Sequence, residues 1–243
     1  MRHQESRYDR LPTIDPIQVG RPKLQLRNPV LADGGEVLDW TYYDFFSCAL
    51  NTLFNQRQIL FSKGVGTEYT PVGGSAFSKT FLHTNVEGSG GLLPNGYKID
   101  VQALRLVVDQ GIQFIDLNDL LYMTLATFNI GQKQYFQAPY GNLPGGVGAV
   151  LSAAPDIPVG GTGVTLANGP LNCNGWPGNL RGVYSLSAGL EASIAYGQNF
   201  NFTVDPTQGE NGSWSTQPNT DQPPGVGFRA WQHLDGILTR PTQ

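Results

Sequence analysis

Tyr184-Ser185-Leu186-Ser187-Ala188-Gly189-Leu190-Glu191-Ala192-Ser193-Ile194-Ala195-Tyr196 is the stretch that decides the fold class. Tyr184, Leu186, Ala188, Leu190, Ala192, Ile194 and Tyr196 fall on one face of an extended chain. Ser185, Ser187, Gly189, Glu191 and Ser193 fall on the other. A period of two places successive side chains on opposite faces, so this is a strand with one wet face and one apolar face. After the turn Gly197-Gln198, Phe200, Phe202 and Val204 alternate with Asn199, Asn201 and Thr203, which predicts a second strand. Leu186, Leu190, Ile194, Phe200 and Phe202 are therefore expected in the core.

Upstream, Ile99, Val101 and Ala103 alternate with Lys98, Asp100 and Gln102. Leu104-Arg105-Leu106-Val107-Val108 follows, apolar on both sides apart from Arg105, as in a strand that enters the centre of a sandwich. Gln58–Phe61, Leu121–Ile130 and Phe228–Leu238 are further expected strands. One helix is predicted over Asp39–Gln56, where Asp39 can cap the N-terminus and Trp40, Tyr43, Phe46, Ala49/Leu50 and Leu53 recur at helical spacing. A second, short helix is expected near Asp116, within Ile115–Leu121.

Composition agrees with a β protein. Gly 31 and Pro 17 imply many turns and few long helices. Charged residues are only 14% of the 243, against roughly 25% in an average domain, a pattern that suits a surface covered by other protein. The glycine-rich loops fall at 88–91, 144–148, 160–163 and 208–225, and residues 137–182 are the longest weakly patterned stretch. Long loops between sandwich strands often carry contacts.

Charge is unevenly placed on a chain of formal net charge -4. Residues 1–30 carry Arg2, Arg7, Arg10, Arg21, Lys23 and Arg27 against Glu5, Asp9 and Asp15. From Gln134 to Gly227 Arg181 alone is basic, against Asp156, Glu191, Asp205, Glu210 and Asp221. Residues 1–23, with Pro12, Pro16 and Pro22, read as an extended basic arm and 24–243 as one β domain. Such an arm suits phosphates, lipid headgroups or an acidic neighbour; the plainer reading is a solvated tail. The segment after Met1 is polar, so no secretory leader is expected. No apolar run is long enough for a membrane helix. Cys48 and Cys173 are expected as free buried thiols, which suits a reducing cytoplasm.

Motifs of catalysis are weak. Gly73-Gly74-Ser75-Ala76-Phe77-Ser78-Lys79-Thr80 nearly matches a phosphate-binding loop, but Ser78 replaces the second glycine and no helix is expected after it. His3, His83 and His233 lie far apart, without the spacing of a zinc site. Asp33, Glu36, Asp39 and Asp44, and Asp109, Asp116 and Asp119, are explained by capping and turns more simply than by paired acid catalysis. Tyr140, Trp176 and Trp214 are candidates for a sugar-stacking platform, and Asn201 and Asn211 begin glycosylation sequons that matter only in a secreted protein. No catalytic, cofactor-binding or metal-binding residue is assigned, and no cofactor is expected.

Lys79-Thr80 with Thr84-Asn85 is followed by Gly91-Leu92-Leu93-Pro94, Tyr97-Lys98-Ile99-Asp100-Val101-Gln102-Ala103-Leu104-Arg105-Leu106, Ile130-Gly131-Gln132-Lys133 and Tyr196-Gly197-Gln198-Asn199-Phe200. Trp231-Gln232-His233-Leu234-Asp235-Gly236-Ile237-Leu238-Thr239-Arg240-Pro241 closes the set. In this order, from Lys79 to Pro241, the chain resembles the jelly-roll capsid proteins of tailless icosahedral phages. The resemblance implies two four-stranded sheets packed face to face, no enzymatic activity, and self-assembly into an icosahedral shell with copies of itself and other capsid proteins. It places the protein in a virion, made in the host cytoplasm. The strand count favours one elaborated jelly roll over two. The competing expectation is a carbohydrate-binding or carbohydrate-cleaving β-sandwich.

Overall fold

The computed structural model describes residues 35–87, 90–109, 112, 114–143, 184–186, 192–208 and 226–241. The expected basic arm, the long loops after residue 143, His3, Trp176, Trp214, Cys173 and Asn211 lie outside them. The elements run β1 (Gly35–Ala49), β2 (Gln58–Leu60), β3 (Glu68–Tyr69), β4 (Phe77–Ser78), β5 (Lys98–Val108), α1 (Phe114–Tyr122), β6 (Leu125–Ile130), β7 (Lys133–Pro139), β8 (Tyr184–Ser185), β9 (Ala192–Ala195), β10 (Phe200–Asp205) and β11 (Val226–Pro241).

The protein is mainly β, and every strand pairs antiparallel with its neighbours. The first sheet has the order β1-β11-β5, with β8 and β9 both on the far edge of β5. The second has the order β2-β10-β6-β7, and β3 and β4 form a separate small hairpin. The sheets enclose a sandwich core. Phe46, Leu104, Ile99, Ile194 and Phe228 come from the first sheet, and Leu60, Phe128, Phe136, Phe200 and Phe202 from the second. Leu117 and Leu120 of α1 join the same core.

Two expectations need correction. Asp39–Gln56 is not a helix; its first part belongs to the fifteen-residue strand β1. The period-two signal is lost because β1 is buried on both faces from Asp44 to Cys48. Tyr42, Phe46 and Cys48 join the core, while Phe45, 1% exposed, packs beneath Tyr69, Phe77 and His83 on the opposite face. Aromatic density of this kind fits a pleated surface buried on both sides. The expected strand Leu121–Ile130 begins only at Leu125, because Leu121 and Tyr122 finish α1, and Met123 N–H donates to the Asp119 carbonyl.

The run Leu104–Val108 also has a different cause from the one expected. Ile99 and Val101 are buried at odd positions, then Leu104, Leu106 and Val108 at even ones. The β5–β11 register shifts between, with Ala103 opposite Asp235 and Val101 opposite Gly236. Gln102 is thus an extra, bulged residue that moves the apolar set from one parity to the other. Gly236 permits this closeness: a Cβ there would stand 2.3 Å from the Asp100 carbonyl oxygen.

The short helix near Asp116 and the strands at Gln58, Phe200 and Phe228 form as expected. Of the anticipated core, Ile194, Phe200 and Phe202 are buried and Leu186 is partly buried against the core. Leu190 lies outside the described residues. The decisive stretch appears as β8 and β9, both on β5, and Leu186 N–H donates to the carbonyl of the bulged Gln102.

Candidate functional site

Lys79, the basic residue of the near-miss phosphate loop, points inward. β4 is followed by a turn at 81–83 rather than a helix, and Lys79 is 3% exposed. Its Nζ lies 2.6 Å from Asp44 Oδ1 and donates also to the Lys63 carbonyl at 3.3 Å. The rings of Phe45 and Tyr69 flank the ammonium at 5.8 and 5.4 Å. Asp44 Oδ2 accepts from Phe61 N–H (2.6 Å) and Oδ1 from Phe45 N–H (3.0 Å). Burial pushes the Asp44 carboxyl above its ordinary range, while Lys79 and the two N–H groups pull it back.

This pair sits where the edge of β1 would otherwise stand open. Residues of β1 that face away from β11 need other partners, because an unpaired edge is a template for aggregation. The segment from β3 onward supplies several. Ser47 N–H donates to the Tyr69 hydroxyl, Ala49 N–H to the Val72 carbonyl, and Val72 N–H to the Ser47 carbonyl. The Asn85 side chain accepts from Tyr43 N–H and donates to the Thr41 carbonyl, as a strand backbone would.

Beside that edge a cleft of about 460 Å³ opens on the outer face of the first sheet. Phe45, Phe77 and His83 form its aromatic wall, with Ser47, Ser75 and Arg229 as polar lining. Arg229 is committed to Asp109 (Nη2–Oδ2 2.7 Å) and lies over the Trp231 ring. His83 Nδ1 accepts from Thr80 N–H at 3.0 Å. Burial, followed by the charges of Arg229 and Lys79, lowers its pKa, so the ring is neutral at pH 7 with its proton on Nε2.

The turn Thr80–His83 rims the cleft and holds two large apolar side chains in water, Phe81 at 60% and Leu82 at 81% exposure. It is tightly tied. His83 N–H and Thr84 N–H both donate to the Thr80 carbonyl, Tyr43 Oη donates to the Phe81 carbonyl, and Trp231 Nε1 donates to the Leu82 carbonyl.

The remaining sequence candidates are structural in character. Tyr140 is fully buried and donates to Gln232 Oε1 at 3.0 Å, so it offers no face to a sugar. Asn201 lies within β10, half-buried, and accepts from Asn129. Cys48 is a free buried thiol that donates to the Thr52 carbonyl; burial, and then Asp116, push its pKa to about 12, far from nucleophilic. Glu36 pairs with Arg240. No group of three or more His, Cys, Asp or Glu converges among the described residues.

His233 belongs to a network on the outer face of the first sheet. Arg105 grips Asp235 with two bonds, Nε–Oδ2 2.9 Å and Nη2–Oδ1 3.0 Å, and Thr41 Oγ1 adds a third at 2.6 Å. Burial pushes Asp235 up, but these partners hold it below its ordinary value. The same Arg105 Nη2 lies 3.3 Å from His233 Nδ1. Burial and then this cation lower the His233 pKa to about 4, against a weaker opposing pull from Asp235. Below its ordinary 6.5 the unfolded chain takes up a proton that the folded chain refuses. Stability from this site is therefore full above pH 6.5 and lost as pH falls toward 4, on the order of 2–3 kcal/mol. Urea unfolding of the native protein and of His233→Gln across that window checks this; equal pH slopes in the two would refute it.

Sequence reasoning missed Asp44 with Lys79, the partnership that organises this region. The residues are far apart in the chain and neither carries a local signal of the other. Comparison with protein-family models, with characterised proteins and with solved structures finds no match to this chain.

Proposed function

We propose that this protein is a structural coat protein of single jelly-roll type that assembles with copies of itself, and with other capsid proteins, into an icosahedral shell. The pairing scheme supports the fold. β1 pairs with β11, β2 with β10, β5 with β9, and β6 with β7. These are the rungs of one long hairpin. Rolling such a hairpin into a jelly roll would add the contacts β11–β5 and β10–β6, and both pairings are present.

A fold does not choose a function by itself. The observation that carries assembly is the rigid Thr80–His83 turn. Its hydrogen bonds hold the backbone while the Phe81 and Leu82 side chains stand exposed, and such apolar surface gains from cover by another chain. The expected result is a large symmetric particle in sedimentation and electron microscopy, and its loss in Phe81→Ser/Leu82→Ser with folding retained. A protein that stays monomeric at high concentration under every salt and pH would sink the reading. The virion, with synthesis in the host cytoplasm, is the location that follows.

The basic arm, through Arg2, Arg7, Arg10, Arg21, Lys23 and Arg27, supplies contacts to nucleic acid, membrane lipid or an acidic neighbour within the shell. Each such charge near an anionic surface is worth about 1 kcal/mol, and salt weakens it. Deletion of residues 1–23 should therefore impair assembly, with a changed salt dependence. Equal assembly at low and high salt would reduce the arm to a tail.

The aromatic cleft beside β1 favours one second reading, a carbohydrate-binding sandwich. A monomer whose tryptophan fluorescence shifts with glycans would support that reading over assembly.

A further inference from the structure

The setting of Asp44 and Lys79 is unusual for an ion pair. Their side chains are 0% and 2% exposed, the nucleophilic nitrogen is 2.6 Å from a carboxyl oxygen, and aromatic rings enclose it. Two opposite charges so far from water carry a large desolvation cost. Transfer of one proton from Nζ to Oδ1 removes both charges and leaves a neutral amine against a neutral carboxylic acid. The backbone is arranged for what that amine can do next. Phe61 N–H points at Oδ2 from 2.6 Å, where it would hold negative charge developing on that oxygen.

We propose that Lys79 Nζ condenses with the Asp44 carboxyl to form an intramolecular amide that ties β1 to the end of β4. The Nζ lone pair attacks Cγ, and the carbonyl π pair moves onto Oδ2 beside Phe61 N–H. The tetrahedral carbon then re-forms its carbonyl and breaks the Cγ–Oδ1 bond. Oδ1 leaves as water with its own proton and one from Nζ. Carboxylic acid and amine become amide and water, with nothing oxidised or reduced. The remaining amide N–H can keep the bond to the Lys63 carbonyl, 3.3 Å away before reaction. The product carries no buried charge, and the closed packing keeps out the water that would hydrolyse it. The bond encloses the hairpin β3–β4 in a covalent ring and locks the edge of β1. This inference is independent of the assembly reading.

Mass spectrometry of the denatured, full-length protein tests it. The expected mass is that of the sequence less one water, and digestion should release one branched peptide joining the segments around Asp44 and Lys79. Asp33-Gly34 and Asp235-Gly236 could each lose water as a cyclic imide, so the branched peptide is the deciding readout. Lys79→Arg and Asp44→Ala should each abolish it. A folded native protein that yields the two segments only as separate linear peptides, after prolonged incubation, overturns the proposal. That result does not depend on whether either variant folds.

Discussion

Replacing Phe202 with Ala should cost the folded state about 3–5 kcal/mol, a large part of the roughly 5–15 kcal/mol that holds a domain together. Phe202 is fully buried in β10, between β2 and β6. Its ring packs against Phe128 at 6.4 Å and Tyr140 at 5.9 Å between centroids. Those neighbours are themselves fully buried and fixed. Tyr140 is tethered through Gln232, so the walls cannot fall in and the vacated space stays a cavity. Urea unfolding measures the loss. Ile59, 54% exposed on β2, serves as the control and should change stability by no more than about 0.5 kcal/mol on truncation to Ala. A loss below about 1 kcal/mol at Phe202 would show that the site can repack.

Lys79→Met should cost about 3–5 kcal/mol as well, because it leaves the Asp44 carboxylate buried without its cation. The double variant Asp44→Leu/Lys79→Met should recover much of this, since no charge is then stranded. Recovery should be incomplete. Phe61 N–H and Phe45 N–H both donate to Asp44, and a buried donor left without an acceptor costs about 1–3 kcal/mol. The sign of the coupling holds for an ion pair, and a condensed amide adds the loss of a covalent tie to all three variants alike. Chemical denaturation of the two singles and the double checks it. A single variant within about 1 kcal/mol of the native protein would mean that water reaches the site. The group would then be a surface-like pair of little worth.

Legibility followed burial. β10 was readable because Phe200, Phe202 and Val204 meet the core while polar residues separate them in sequence. β11 and β2 were readable for the same reason in part. β1 was not: Phe45 and Phe46 are both buried, one under the β3–β4 hairpin and one in the core, and from Asp44 to Cys48 no exposed residue marks a wet face. Tyr140 looked like an exposed loop aromatic because loops are usually at the surface. The short helical turn that holds it instead turns the ring inward, toward Gln232.

The candidate site was legible least. The near-miss phosphate loop drew notice to Lys79 for a chemistry that its burial prevents. Asp44 was counted among acids that cap helices and form turns, yet it faces Lys79 from within a strand. His83 and His233 lie far apart in the sequence, and their lowered pKa values come first from burial and then from nearby cations, both of which only folding supplies.

By itself, then, the sequence determined that this is a mainly β chain, where most of its longer strands lie, and which alternating residues can reach a core. These are local properties: the period of side-chain direction is set by neighbouring backbone dihedrals and is written residue by residue. Tertiary structure alone decided that β1 is a strand, that one bulge at Gln102 moves the buried face of β5 to the other parity, and that Asp44 meets Lys79 across the sealed edge. Each depends on what a distant segment places against the residue, and burial on two faces or pairing across the chain leaves no period behind to read.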